Sequence, residues 1–291
     1  MPTDMPDRNQ FDDVPPLREA EAWYNMLCLS EKVYREIFRP GLGTVFNPSD
    51  YEQLLMDHAS RLSGILAGMV KLNAPKHLPL AIGGIRTVFE IAVDIELVLR
   101  PKELFPHVTD SEAEIVRRHR VLWKRQSVKL FHVLAKNPNQ EVAQAAKAAL
   151  KRREPSAEEE EERVFGQVRH NRRHWLTDEL SERVKTLGRK LGNDKFWHWY
   201  EMEYRLASHH AHGPLTVGTE MARDGEGIRT SSTVFFPWAS ELLAKHIMQP
   251  IWRRFELNKA DPGGWRRLIS LPEETAKIYV RVMNQELNED T

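Results

Sequence analysis

The sequence predicts an all-α fold, a multi-helix bundle. Three observations point to it: apolar residues recur at three- and four-residue steps over long stretches, Ser, Thr, Asp or Asn opens many of these stretches while Pro or Gly closes them, and strand-type patterning is minimal. Residues 1–16 carry Pro2, Pro6, Pro15, Pro16 and several aspartates, and read as a loose leader. The first helix spans Leu17 to Phe38, with Trp23, Leu27, Val33, Tyr34, Ile37 and Phe38 at helical spacing, and stops at Pro40-Gly41. Pro48-Ser49-Asp50 caps a second helix, from Tyr51 to about Leu72. A third, about Leu78 to Leu99, is the most apolar, yet Arg86, Glu90, Asp94 and Glu96 interrupt it, so it is a core helix and not a membrane span.

Thr109-Asp110-Ser111 opens a fourth helix to about Leu134, whose face carries Arg117, Arg118, Arg120, Lys124, Arg125 and Lys129. Asn137-Pro138-Asn139 starts an alanine-rich helix to Leu150. The sharp change of composition over 151–163, with acidic residues from Glu158 to Glu162, reads as a charged connector leading into an exposed helix start. Thr177-Asp178 caps Glu179 to Lys190, and Gly192-Asn193-Asp194 caps Lys195 to about Ala211, which Gly213-Pro214 ends. Residues 213–233, rich in Gly, Thr and Ser, form a loop or small hairpin. Helices about Val234 to Leu257 and Pro272 to Leu287 close the chain. The organisation expected is a leader (1–16), an N-terminal helical half (17–150), the connector (151–163) and a C-terminal helical half (164–291) packed with the first as one core.

The totals narrow the function. With 42 basic and 42 acidic residues among 291, the surface as a whole is not one that binds nucleic acid, although a local basic patch is compatible with it. The single cysteine, Cys28, forms no internal disulfide and suits a reducing compartment. The N-terminus lacks the basic start and apolar centre of a secretory signal, so a cytoplasmic location is expected, with no membrane partner. No P-loop or dinucleotide fingerprint is present, and no cofactor is expected.

Chemistry concentrates on the helix ending Tyr204-Arg205-Leu-Ala-Ser208-His209-His210-Ala-His212. At about 100° per residue, Arg205, His209 and His212 share one face, with Tyr204 and Ser208 beside them. A helix C-terminus favours a protonated imidazole, and a cationic His next to an Arg suits an anionic substrate, phosphate above all. The same residues also serve as caps and hydrogen-bonding partners in an inert helix end. Arg86, Glu90 and Asp94 recur every four residues on the core helix, where buried charge needs partners. Arg86 and Glu90 pair with each other, and Tyr204, His212 or a ligand supplies the donor for Asp94; a salt-bridge ladder and a ligand pocket both fit. His209 and His212 with Asp94 or Glu90 form a weaker, metal-binding alternative, without any common zinc or di-iron spacing. The stretch Arg169 to Trp175, with His170 and His174, and the basic face from Arg117 to Lys129 read as solvated charge, or together as a groove for nucleic acid. The eight tryptophans, Trp197 and Trp199 among them, read as core and not as base-stacking platforms.

From about Arg86 to His212 the chain resembles an uncharacterised bacterial all-helical family. Its signatures are an Arg-x3-Glu on an apolar helix and a Trp preceding a Tyr-x3-Ser-x3-His helix, carried here by Arg86 and Glu90, Trp175, and Tyr204, Ser208 and His212. That resemblance implies an all-helical fold and no particular activity. More distantly, the chain is similar to the HEPN superfamily, helical bundles that include metal-independent ribonucleases and toxins, whose motif is an Arg and a His separated by four to six residues. Arg205 with His212 meets it on one helix face; Arg205 with His210 and Arg169 with His174 meet it in spacing. The resemblance implies RNA as substrate and a toxin or defence role. In it His212 is general acid or base at the ribose 2′-hydroxyl, Arg205 stabilises charge on phosphorus, Ser208 and Tyr204 orient His212, and a homodimer completes the site. A non-catalytic helical interaction protein, in which the same residues form a structural polar network, is the competing expectation.

Overall fold

A computed structural model describes residues 18–72, 78–169, 172–205, 207–208 and 235–284 of the chain. The described residues are helical throughout their regular structure, with no strand among them, as the periodicity predicts. The expected leader, His170, His209, His210, His212 and the 213–233 loop or hairpin lie outside these residues. None of the described helices is long and apolar enough to cross a membrane.

Helix α1 (Arg18–Val33) runs through a wide π-helical turn (Tyr34–Phe38) into Arg39–Leu42. Its chain then turns where Gly41 lies against the Trp252 indole so closely that a Cβ would stand 2.3 Å from the ring. Helix α2 (Asp50–Lys71) begins with a full capping box: Ser49 Oγ accepts from the Glu52 N–H, and Glu52 accepts from the Ser49 N–H. Ser49→Ala therefore loses about 1 kcal/mol of stability, read as a lower urea midpoint with an unchanged slope. Helix α3 (Leu78–Val98) is the axis of the bundle. Ile85, Val88, Phe89, Ile91, Ala92, Val93, Ile95 and Leu97 are fully buried, because helices from both ends of the sequence pack around it.

Helices α4 (Ser111–Leu134) and α5 (Gln140–Phe165) form a long antiparallel pair, capped by Asp110 and Asn139. The expected connector at 151–163 is not a break, since α5 continues through it with Pro155 inside the helix. The reason lies across the pair. The glutamates sit on the basic face of α4: Lys124 binds Glu160 at 2.6 Å, Arg125 meets Glu158 and Glu161, and His132 meets Glu154 at 2.8 Å. Lys124 and Arg125 are thus held by the glutamates of α5, while Arg117 and Arg118 pair with Glu114 and Arg120 with Asp50. Glu161 is fully buried between Arg125 Nε at 2.8 Å and Arg172 Nε at 2.9 Å, so this carboxylate ties α4, α5 and the following segment together.

Helix α6 (Leu180–Leu191) ends at Gly192, whose φ of 66° is the left-handed conformation of a helix stop. Helix α7 (Asp194–Trp199) passes through a π-helical turn (Tyr200–Tyr204) that carries on to Arg205. Helix α8 (Phe236–Glu241) continues through Leu242–Met248 and Gln249–Arg254 against α3. Helix α9 (Pro262–Asn284) packs along α1 and begins at Pro262, not at Pro272 as the sequence suggests. Asp261 accepts from the Gly264 N–H at 2.9 Å, and Pro262 supplies a first turn that needs no N–H, an Asp-Pro start that outweighs the later proline. One apolar cluster runs through the molecule from Ala22 to Leu271.

Candidate functional site

The charged stripe of α3 faces two polar clusters. In the first, the Tyr204 hydroxyl accepts from Arg86 Nη2 at 3.1 Å and donates to Glu90 Oε1 at 2.8 Å, and its ring packs on Phe89 with centroids 5.2 Å apart. Sequence reasoning offered Tyr204 as a donor to Asp94; instead it links Arg86 with Glu90, and its expected partner His212 lies outside the described residues. Burial raises its pKa, as does the Glu90 carboxylate, while the Arg86 hydrogen bond opposes them, so the phenol stays protonated.

In the second cluster Asp94 takes its partners from elsewhere than Tyr204, and His212, the other donor expected for it, lies outside the described residues. Its Oδ1 accepts from His174 Nε2 at 2.9 Å and from Arg183 Nη1 at 2.5 Å. Burial raises the carboxyl's pKa, but the His174 ring and the Arg183 guanidinium outweigh it and hold Asp94 well below the usual carboxylate range. His174 is fixed by its other nitrogen: the Leu176 N–H donates to Nδ1 at 3.1 Å, so Nε2 bears the proton given to Asp94. The loop that presents it is pinned in turn. Asp178, expected to cap α6, accepts instead from the Arg173 and His174 N–H groups at 2.6 and 2.9 Å, and α6 has no side-chain cap. Part of the Arg169 to Trp175 stretch is thus not solvated. Arg172, His174 and Trp175 are all buried.

Beyond this pair a cavity of about 640 Å³ opens between α2, α3, α4, the 173–178 loop and α6. Two histidines that the sequence analysis did not single out stand in its wall. His58 of α2 is 6% exposed, and neither of its ring nitrogens has a protein partner among the described residues; His119 of α4 meets it edge-on, with centroids 5.3 Å apart, and its Nε2 is likewise buried without one. Burial pushes His58 down to about 4, and it pushes His119 lower still, helped by the charge of the neighbouring His58 and His174 rings, so both imidazoles are neutral at pH 7. Arg61 and Arg173 stand on the rim, both exposed, and Glu90 joins the wall from the first cluster. A signal existed in the sequence: His58 interrupts the stripe Tyr51, Leu55, Leu62, Leu66, and His119 the stripe Ile115, Leu122, each an imidazole at a core position of an amphipathic helix.

The pH consequence has a definite sign. The unfolded chain protonates His58 near 6.5 and the folded chain only near 4, so stability is full above pH 6.5 and falls as the pH drops toward 4. The loss is roughly 3 kcal/mol from this residue, and Asp94, whose folded pKa is depressed, adds to it once the pH passes below the ordinary carboxylate range. Urea midpoints against pH should show this slope in the wild type and a flatter one in His58→Leu.

The other expected residues fall elsewhere. Arg205 is exposed and pairs with Glu201 at 2.7 Å, one position round the helix from Tyr204 and turned away from the cluster that Tyr204 joins. Ser208 Oγ is buried without a hydrogen-bond partner among the described residues. Trp175, 1% exposed, packs between His119 and His174 at 5.0 and 5.3 Å. His209 and His212 lie outside the described residues, and among the described ones no group of three His, Cys, Asp or Glu is placed to hold a metal ion. No protein-family model, curated protein or solved structure matches the chain.

Proposed function

We propose that the cavity beside α3 is the working site of a metal-independent ribonuclease. The observation that supports this is the pair His58 and His119, neutral imidazoles in the wall of a cleft whose buried His58 Nδ1, His58 Nε2 and His119 Nε2 have no hydrogen-bond partner among the described residues, next to an Asp94 that His174 and Arg183 both bind. A buried polar group without a partner costs about 1–3 kcal/mol, and a fold keeps such groups where a ligand completes them. In this reading a neutral imidazole takes the proton of a ribose 2′-hydroxyl as it attacks the adjacent phosphorus. The imidazolium so formed gives that proton to the leaving 5′-oxygen as the P–O5′ bond breaks, and the products are a 2′,3′-cyclic phosphate and a free 5′-hydroxyl. Arg183, held by Asp94, and the rim residues Arg61 and Arg173 offset the charge that gathers on phosphorus. His174 acts as a positioning residue, since both its nitrogens are engaged. RNA as the substrate, and with it a homodimer and a defence role, comes from the HEPN resemblance. The chemistry is moved from Arg205, which pairs with Glu201, into the cleft.

Incubation of the purified protein with mixed RNA in excess chelator tests the reading. Cyclic-phosphate ends are the expected result. Cleavage lost in Arg205→Ala and His212→Ala but kept in His119→Asn would return the chemistry to the helix end.

A second reading has its own support. Tyr204 bridges Arg86 and Glu90, and Asp94 on α3 binds His174 and Arg183, which suits a non-catalytic interaction protein whose polar residues lock helices together. Absence of cleavage in any RNA, together with a large loss of stability in Tyr204→Phe, is the result that favours it.

A further inference from the structure

We infer that Trp123 is a nucleobase platform at the mouth of the cleft, so that the substrate is single-stranded RNA with a base stacked on this indole; the inference rests on the ribonuclease reading. Trp175, Trp199, Trp238 and Trp252 are buried in the core, but Trp123 is 66% exposed on α4 while still lining the cavity. It stands one turn beyond His119 on the same helix, which puts the indole and the imidazole on one wall. The guanidiniums of Arg61 and Arg173 and the amide of Gln126 line the same cavity. A flat aromatic face beside cations at the mouth of a polar cleft is the arrangement that holds a single-stranded nucleotide, base on the ring and backbone on the arginines. Paired bases are already stacked within a duplex, which excludes double-stranded RNA from this use of the indole.

Leu130 and Val133 are also exposed on α4, and with Trp123 they follow helical spacing as an apolar stripe. Neither borders the cavity, whereas Trp123 does. That difference favours a base over a protein helix as the occupant of the Trp123 face.

The test is binding of a fluorescein-labelled 2′-O-methyl oligouridylate, which lacks the attacking hydroxyl, to the full chain by anisotropy in excess chelator. An abasic oligonucleotide of the same length serves as the second probe. Trp123→Leu should weaken binding of the first probe about tenfold or more, Trp123→Phe should recover most of it, and the abasic probe should not distinguish the variants. On cleavable RNA, Trp123→Leu should raise KM and leave kcat nearly unchanged. Equal binding by wild type and Trp123→Leu, with RNA still cleaved, would overturn the platform alone and turn attention to a protein partner on the α4 stripe. No binding and no cleavage by wild type would overturn the ribonuclease reading and the platform with it.

Discussion

Glu161→Ala should unfold the protein at a markedly lower denaturant concentration, with a loss of about 3–5 kcal/mol. The carboxylate is fully buried between two guanidiniums that are themselves about 95% buried, Arg125 on α4 and Arg172 beyond α5, and it also accepts from the Arg169 N–H at 3.1 Å. Its removal takes from buried Arg172 the carboxylate at 2.9 Å and leaves Arg125 with the more distant Glu158 at 3.4 Å. Replacing all three residues together with apolar side chains of similar volume should restore much of the loss, because the penalty comes from stranded charge and not from missing contact area. Equilibrium urea unfolding of the single and triple variants checks this. A single variant within about 0.5 kcal/mol of wild type would show that the triad is not closed in solution.

His119→Asn should slow RNA cleavage by about 10²- to 10⁴-fold, the usual contribution of a positioned acid or base, while the protein stays folded. The imidazole makes no hydrogen bond through Nε2 that the substitution would break, and asparagine is smaller than the ring, so the stability change should be modest. Arg205→Ala should leave the rate nearly unchanged, since its guanidinium is exposed and satisfied by Glu201. His174→Asn should do more harm to stability than His119→Asn, because it breaks the bonds to Asp94 and to the Leu176 N–H at once. A melt recorded beside each rate separates the two kinds of effect.

Much of the fold was legible because helix boundaries are written in local chemistry. Ser49, Asp110 and Asn139 start the helices they were expected to start, and Gly192 stops one. Local signals misled where a tertiary partner decided the outcome. The glutamates from 158 to 162 look like a solvated run until the basic face of α4 is laid against them, and Pro155 looks like a break until those ion pairs hold the helix on both sides of it. Asp178 looks like a cap, but the 173–174 backbone takes its carboxylate first.

The site was legible in part. Arg86, Glu90 and Tyr204 do meet beside α3, as a charged stripe on a buried helix requires, but Asp94 belongs to a second cluster, and the pairing could not be read from spacing. Asp94 finds partners 80 and 89 positions away, His174 and Arg183, and only the path of the chain brings them there. His58 and His119 were passed over because a histidine in an apolar stripe has no motif; its meaning lies in the cleft behind it.

Under the proposed function the His58–His119 cleft, and not the exposed Arg205, receives the substrate. Histidine ring signals followed by NMR during titration with the uncleavable 2′-O-methyl oligouridylate test it most directly, with His58→Asn and His119→Asn spectra to assign the two rings. Selective shifts of the His58 and His119 resonances, absent in Arg183→Ala, are the predicted result. Unmoved His58 and His119 signals in a complex that Arg205→Ala abolishes would contradict it.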